Sequence, residues 1–480
     1  MTVQQADFDV MVVGGGTAGA IAAIAAARGG ARTCLVEKAG LLGGTCFALA
    51  NITPFHNNRG EPIVRGLPQE LIDRIIDRGG ARAGGHLPNP TGIGGSFTPV
   101  DPEVMKLVLF DMAAQAGVEL RLHSLVADAI VENGRLAGVR MHNKSGAQDV
   151  YAKTTIDATG DADVAVRAGA AFVQDVPEAS LNATLLFRVA GVDTDAFIAD
   201  VRIAPHKIVL LADPYLRDVR QLDAAGVMRR ANSIYDCPYI YLANIVRDYV
   251  ARADWAEWGI TGEGKSGWGR LAPFGSRFSI MPAPHRRDIV TLNATSVTFD
   301  ATDGAQLSGA EIEGQRQVHL ALEVLRRYVP GFRECFLQSV APAVSVRASR
   351  RIVGEYELTR ADIERQARFP DAIARGAYPM SVQSATQPNA RQHLFVPDGG
   401  DYDIPYRSLV PRKIDGLLVA GRCLSATREA AGSVRMGAQA MASGHAAGVA
   451  ASLAARDRVP VRAVSVPELR RTLQEQFAIV

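Results

Sequence analysis

The chain has 480 residues, of which 48% are hydrophobic, 21% charged and 6% aromatic, a globular balance that excludes disordered, collagen-like and coiled-coil classes. Its 52 basic and 50 acidic side chains leave a net charge of +2, which predicts no nucleic-acid partner; no apolar run reaches the length of a membrane span. The length predicts two or three domains. Five scattered cysteines (Cys34, Cys46, Cys237, Cys335, Cys423), none in a CxxC pair, and an N-terminus without a basic signal-like region predict a reduced, cytoplasmic protein. The 46 glycines are clustered, and their positions direct the reading.

Residues 8–13 (FDVMVV) read as a strand, Gly14-Gly15-Gly16-Thr17-Ala18-Gly19 follows directly, Ala20–Arg28 reads as a helix, and Thr33–Val36 as a second strand closed by Glu37. Strand, G-x-G-x-x-G, helix, strand and acidic residue within one short unit form the dinucleotide fingerprint. Gly14 permits the tight turn, Gly16 lets backbone approach a pyrophosphate, Gly19 lets the helix pack on the strand, and the helix start offers free N–H donors and a positive dipole end. Glu37 suits a ribose 2′-hydroxyl. A second glycine cluster, Gly40–Cys46, follows. Residues 118–158 read as a β-meander with an Asn133-Gly134 hairpin turn, ending in Ala158-Thr159-Gly160-Asp161. Two glycine-rich approaches after one fingerprint suit a cofactor larger than a single nucleotide.

The segment DVMVVGGGTAGAIAAIAAARGGARTCLVEKAGLLGGTC resembles the FAD site of the two-dinucleotide-binding-domain flavoproteins of glutathione-reductase-like fold. IDATGDADVA resembles their second FAD contact, and DYDIPYRSLVPRKIDGLLVAGRCLSATREAAGSVRMGAQAMASGHAAG their third. DATDGAQLSGAEIEGQRQ, RASRRIVGEYELTRADI and FPDAIARGAYP resemble one branch, the FAD-dependent oxidoreductase family. The resemblance implies FAD, and an α/β fold: a Rossmann-like, glutathione-reductase-type FAD-binding domain from 1–175 and 400–460, an inserted α+β substrate domain over 176–399, and a helical tail over 461–480. Fingerprint and resemblance together mark Gly14, Gly16, Thr17, Ala18, Gly19, Glu37, Lys38, Gly43, Gly44, Thr45, Cys46, Val126, Thr159, Gly160, Asp161, Gly421, Arg422, Met436 and Gly437 as cofactor-binding.

In the middle of the chain LNATLLFRVAGV reads as a strand, RFSIMPAP and DIVTLNATSV as an antiparallel pair, and Ser308-x-x-Glu311 as a capping box opening a helix through Tyr328. Thr359 offers another helix start, 416–421 a strand, and Val434–Leu453 a helix whose start, around Arg435-Met436-Gly437, points at the flavin pyrimidine ring by resemblance; a helix N-terminus favours the negative charge of reduced flavin there. No second G-x-G-x-x-G follows a strand, so no dedicated NAD(P)H domain is expected.

Three residues are candidates for chemistry. Cys46 occupies the first position of the disulfide reductases' C-x4-C pair, but Asn51 fills the second; it is a packing residue, a covalent flavin link or a nucleophile. His56, ten residues on, is a general base or a structural histidine, and His86, in a Gly/Pro-rich loop, a weaker candidate. Arg422 offers paired donors to phosphate or a substrate carboxylate, or a structural ion pair. Arg347, Arg350 and Arg351 are spaced to alternate on a strand. Many family members carry an Asp and a His soon after the Tyr-Pro matching Tyr378-Pro379; YPMSVQ lacks both. No metal-ligand spacing and no G-x-S-x-G elbow occur. The expected function is an FAD enzyme transferring hydride between a small organic substrate and flavin N5, with an unassigned electron acceptor and a homo-oligomer left open. The alternatives are a flavin monooxygenase using transiently bound NAD(P)H and a flavin-bearing electron-transfer subunit.

Overall fold

The computed structural model describes residues 6–44, 51–89, 92–175, 182–203, 216, 218, 223–236, 240–241, 279–383 and 391–480. The chain opens with β1 (Phe8–Val13), α1 (Thr17–Arg28) and β2 (Thr33–Val36). After β3 (Asn51–Ile52), α2 (Leu67–Asp77), β4 (Leu87–Pro88), β5 (Ser96–Pro99) and α3 (Pro102–Ala116) come β6 (Glu119–Arg121), β7 (Leu125–Glu132), β8 (Arg135–Asn143) and β9 (Gly146–Asp157). β1 pairs in parallel with β2 and β9, and β2 with β6. The late strand β21 (Leu417–Val419) pairs in parallel with the end of β9. β9 joins the parallel and antiparallel parts of one seven-stranded sheet: its first half pairs antiparallel with β8, its second half in parallel with β1. The β7–β8 hairpin turns at Asn133 and Gly134, both at positive φ (51° and 76°), as a two-residue turn of this hand requires.

β1 and β2 are apolar and buried on both faces, as a covered parallel sheet demands. α1 is buried from Ala18 through Ala26, because it lies between the sheet and α10 (Gly437–Asp457), a helix buried almost throughout. Their alanine and glycine faces bring backbone against backbone. A Cβ on Gly444 would fall 2.1 Å from the Ala18 carbonyl oxygen, and one on Gly448 2.3 Å from that of Ala22. Equal steps of four on both helices mean that they run parallel and in register.

The helix foreseen at 434–453 is divided: α9 (Arg428–Val434) ends, Met436 is extended (φ −67°, ψ 154°), and α10 begins at Gly437. Between the sheet elements lie α4 (Asp163–Arg167), β10 (Phe172–Gln174), α5 (Thr194–Ile203) and α6 (Ala224–Arg230). A second, antiparallel sheet takes the order β12 (Ile240–Tyr241), β13 (Ser279–Pro282), β14 (Val290–Asn293), β11 (Phe187–Ala190), β15 (Phe336–Val340), so the antiparallel pair foreseen for the two middle segments forms. Phe187, Val189, Ile280, Val290 and Leu292 of this sheet share a core with α7 (Gly304–Tyr328). α7 starts four residues before Ser308: Asp303 caps it, accepting from Ala305 N at 2.8 Å, and Ser308 Oγ donates to Gly304 O inside the first turn. Aspartate at 303, a preferred N-cap residue, takes that role one turn earlier.

β16 (Arg350–Ile352) pairs with β10. Buried Arg351 makes a bidentate pair with Asp175, and Arg350 bonds Asp163 and the Asp161 carbonyl, so these two arginines tie the chain together. α8 (Arg360–Glu364) opens with a capping box of Thr359 and Asp362, as its sequence predicts. β17 (Ala372–Gly376) pairs with β20 (Tyr402–Pro405), and β18 (Met380–Gln383) with β19 (Arg391–Leu394). Ile352, Leu358, Ile363 and Ile373 belong to the same core as β1 and α1, as do Leu469 and Leu473 of α11 (Val466–Glu475). No helix among the described residues is long and apolar enough to cross a membrane.

Because Gly444 has no room for a methyl group, Gly444→Ala should destabilise the protein by about 1–3 kcal/mol through overpacking. Urea unfolding of the flavin-free protein measures this; an unchanged midpoint would contradict the backbone contact.

Candidate functional site

The loop after β1 is shaped by contacts that only glycine allows. Gly14 sits at φ 98°, and a Cβ there would lie 2.5 Å from the Ala158 carbonyl oxygen at the end of β9. A Cβ on Gly19 would lie 1.8 Å from the Gly14 oxygen. Gly16 differs: its backbone is extended, and open space faces its missing side chain. It precedes α1, whose start has neither a side-chain cap nor an acidic residue in its first turn. The N–H groups of Thr17 and Ala18 therefore front a space bounded by backbone, an arrangement that receives an anion.

The second glycine cluster closes on the first. Gly43 N donates to Gly15 O at 2.9 Å, and Gly44 approaches Gly16 so that a Cβ would come within 2.8 Å of its Cα. Glu37 accepts from Gly15 N at 2.5 Å and from Ala39 N at 2.6 Å. Lys38 beside it is exposed. Ser124 N bonds Glu37 O, which brings buried Val126 of β7 to the same end. Thr45 and Cys46, the latter also a candidate for chemistry, lie outside the described residues.

The turn after β9 is organised by Asp157, which is fully buried and accepts from Thr159 N, Thr159 Oγ1 and Ala165 N at 2.7–3.0 Å. Burial pushes its pKa up. Thr159 spends its hydroxyl inside this turn. Gly160, at φ 82°, faces the Arg422 guanidinium, and Asp161 accepts from Arg422 Nη2 at 2.8 Å and Ser349 Oγ at 2.5 Å. Arg422 also donates to Val346 O, so its donors bind protein atoms on two sides. Gly421 (φ 80°) passes against Ala18, its N–H bonded to Ser443 Oγ at 3.0 Å.

α10 begins where this cleft continues. With Ala18 level with Gly444, Gly437 lies six residues ahead of the α1 start, about 9 Å at 1.5 Å per residue. Met436 offers no side-chain cap and clusters with Ile93 and Tyr378. Ala438 N donates to Thr53 O at 3.2 Å and Gln439 Nε2 to Pro54 O at 3.3 Å. Gln439 is fully buried, and its Oε1 has no partner among the described residues.

His56 follows this segment, separate from the Arg422 network. Its ring meets that of His86 edge-on at 5.2 Å; burial, with a smaller contribution from Arg65, lowers its pKa, so it is neutral near pH 7. His86 is held by Thr98 Oγ1 at 2.7 Å and Gln69 Oε1 at 2.9 Å and stacks on Phe55. On the second sheet, Arg188 opposes Thr291 across the face turned from the α7 core. It is half-buried and donates to Thr291 Oγ1 (3.3 Å) and Val100 O (3.4 Å); burial lowers its pKa. Sequence reasoning did not single out Asp157, Arg188 or Gln439. The first two leave a trace, an acidic end to the last meander strand and one charge within LLFRVAG; Gln439 leaves none.

A Rossmann-like sheet, two glycine loops that meet at the start of α1 and two long helices without side-chain caps define a dinucleotide-cofactor protein. The chain belongs to the FAD dependent oxidoreductase family, whose sequence profile matches residues 9–473; it is an FAD-dependent oxidoreductase. It is 30% identical over 206 residues to a digeranylgeranylglycerophospholipid reductase of Methanoculleus marisnigri, covering 40% of this chain and 48% of that one. It is 27% identical over 213 residues to a second such reductase, from Methanopyrus kandleri, covering 42% and 50%. The chain thus spans about half the length of these relatives. A solved geranylgeranyl bacteriochlorophyll reductase-like protein of Thermoplasma acidophilum aligns over 98% of this chain and 83% of its own, at 16% identity and a TM-score of 0.45.

The residues present fit FAD: open space faces Gly16 beside the uncapped start of α1, where a pyrophosphate needs room and backbone donors. Two outcomes follow. Gly16→Ala, at ordinary φ with space around it, should leave the flavin-free protein within about 0.5 kcal/mol of wild type but weaken FAD binding at least about tenfold, a cost of roughly 1.4 kcal/mol; fluorescence titration with FAD separates the two. His86 titrates at about 4 rather than 6.5, because burial disfavours its charged form and His56 adds repulsion. The unfolded chain therefore takes up a proton first as pH falls. Stability is fully present above 6.5 and lost on descending towards 4, on the order of 2 kcal/mol after allowing for partial exposure. Urea midpoints across that range should show this slope in wild type and a shallower one in His86→Gln, with the remainder left by His56 and His445, whose pKa values burial also lowers.

Proposed function

We propose that this protein transfers hydride between a small organic substrate and N5 of FAD, on a glutathione-reductase-type scaffold with the FAD-binding part at 1–175 and 400–460, an inserted substrate part at 176–399 and a tail at 461–480. The observation that carries this reading is the start of α10, which no side chain caps and which lies about 9 Å beyond that of α1. Bound FAD supplies the two-electron chemistry. The α10 N-terminus favours negative charge beside it, and so the two-electron reduced state. The α1 start and Gly16 hold the pyrophosphate, and Glu37, Lys38 and Val126 flank the adenosine end.

Arg422 acts through Asp161, clamping the Thr159–Asp161 turn against the cofactor. His56, a neutral imidazole, accepts the proton that leaves the substrate as hydride departs. Arg188, whose two bonds are both long and to neutral oxygens, orients a polar group of the substrate.

Anaerobic stopped-flow mixing of flavin-loaded protein with small alcohols, amines and hydroxy acids should find a donor that bleaches the flavin, several-fold more slowly when deuterated at the reacting carbon. His56→Gln should lower kcat about a hundredfold with FAD content unchanged. Bleaching by NADPH only when an organic substrate is present, followed by oxygen incorporation, would overturn the proposal in favour of a monooxygenase. Reduction only through a co-purifying protein would favour an electron-transfer subunit.

A further inference from the structure

The second sheet has two unlike faces. Leu185, Phe187 and Val189 along β11, with Val290 and Leu292 of β14, point into the α7 core. Leu186, Arg188, Thr291 and Asn293 alternate with them and point the opposite way. That other face is covered too: Leu186 packs on Phe97 of β5, and Thr291 is fully buried. One end of it is tied to the turn after β9. Arg347 donates to Thr184 Oγ1 and to Asn293 Oδ1, and the neighbouring Val346 O accepts from Arg422. Arg188 stands four residues beyond Thr184, about 13 Å along the strand.

Its partners set Arg188 apart from the other inward arginines. Arg350, Arg351 and Arg422 have side chains 13, 4 and 17% exposed, and each pairs with an aspartate at 2.5–2.8 Å. Arg188 has no ion pair among the described residues. Its Nε donates to Thr291 Oγ1 at 3.3 Å and its Nη2 to Val100 O at 3.4 Å, both long and both to neutral oxygens. The carboxylates that act on it from further off are already engaged: Asp101 caps α3, and Glu103 pairs with Lys106 at 2.5 Å. Burial lowers the pKa of Arg188, and Asp101 and Glu103 only partly offset this. A guanidinium taken out of water without an anion is costly, and a chain that answers three such cations with aspartates leaves this one unanswered.

The hydrogen bonds also define which edge of the guanidinium is open. Protein atoms take Nε and one hydrogen of Nη2, while Nη1 donates to no described residue. What remains is the end of the fork, Nη1 with the second hydrogen of Nη2. These are two parallel donors matched to the two oxygens of a carboxylate. Thr291, by accepting from Nε, holds the plane in which they lie. The group is half-buried, so a solute can reach it, whereas Arg351 is closed off.

We propose that the substrate is a carboxylic acid whose carboxylate binds end-on to Nη1 and Nη2 of Arg188, with Thr291 as the positioning residue for the guanidinium. This rests on the hydride-transfer reading, which makes the Arg188 face the substrate's. It narrows the donor from small organic molecules in general to hydroxy or amino acids, and sets aside alcohols and amines that lack a carboxylate.

Calorimetric titration of the flavin-loaded protein with acetate, butyrate and benzoate, each against its own amide, tests this. At least one acid should bind saturably, and at least tenfold more tightly than its amide. Arg188→Met should weaken that acid at least tenfold with FAD content unchanged, and Thr291→Val should weaken it less. Without acid, Arg188→Met should melt higher than wild type, because it removes an uncompensated buried charge; a purely structural arginine would melt lower on replacement. Arg188→Gln, which keeps a donor for Thr291, gives the binding test independently. No saturable acid binding, equal affinity for the amide, wild-type affinity in either Arg188 variant, or a lower melting temperature in Arg188→Met would each overturn the proposal. Binding and melting are read without turnover, so failure of the hydride-transfer reading alone would show differently, as acids that bind while no donor bleaches the flavin.

Discussion

The backbone contact between α1 and α10 governs the geometry of the rest. Gly444 and Gly448 admit the carbonyls of Ala18 and Ala22, so the helices cannot slide or separate without opening a gap that no side chain fills. Once their register is fixed, the positions of their N-termini are fixed as well. α1 also packs on the sheet through Gly19, whose place against Gly14 couples the glycine loop to the helix. The two bare helix starts are thus held at a constant spacing by packing alone.

A second constraint lies at the end of β9. Asp157 is buried, and its carboxylate is satisfied by three donors of the turn that follows; those charge-assisted bonds offset its desolvation. The turn presents Gly160 and Asp161 to Arg422, which reaches across from the β21 end. Strand β9 therefore carries the link between the first and last thirds of the chain. Phosphate recognition through backbone N–H groups is also consistent with a net charge of only +2, because a helix start does the work of basic side chains.

The first sheet was legible because its signals are local. β1, the glycine loop, α1 and β2 follow one another within thirty residues, and the Asn133-Gly134 turn announces its hairpin. The α10 start was legible to within a residue or so, although the break at Met436 was not, since alanine-rich sequence reads as helix on either side. Ser308 misled for a related reason: the S-x-x-E pattern is genuine, but Asp303, five residues earlier, takes the cap. The Arg188 row and the Asp161–Arg422 pair join segments far apart in sequence, with short strands between them, and no local periodicity encodes such meetings. The pairing of Thr359 with Asp362 succeeded because a capping box is complete within four residues.

Helix caps sharpen the same point. Asp101, Asp303, Thr359, Thr427 and Ser465 each place an oxygen over their helix's first N–H groups, which satisfies those donors internally. A missing cap alone marks no site, since α4 and α6 also start without a side-chain cap. At α1 the missing cap coincides with open space beside Gly16 and with a first turn free of acidic residues. Uncapped donors cost stability unless something accepts from them, so the omission that weakens α1 alone is what suits its start to an anion.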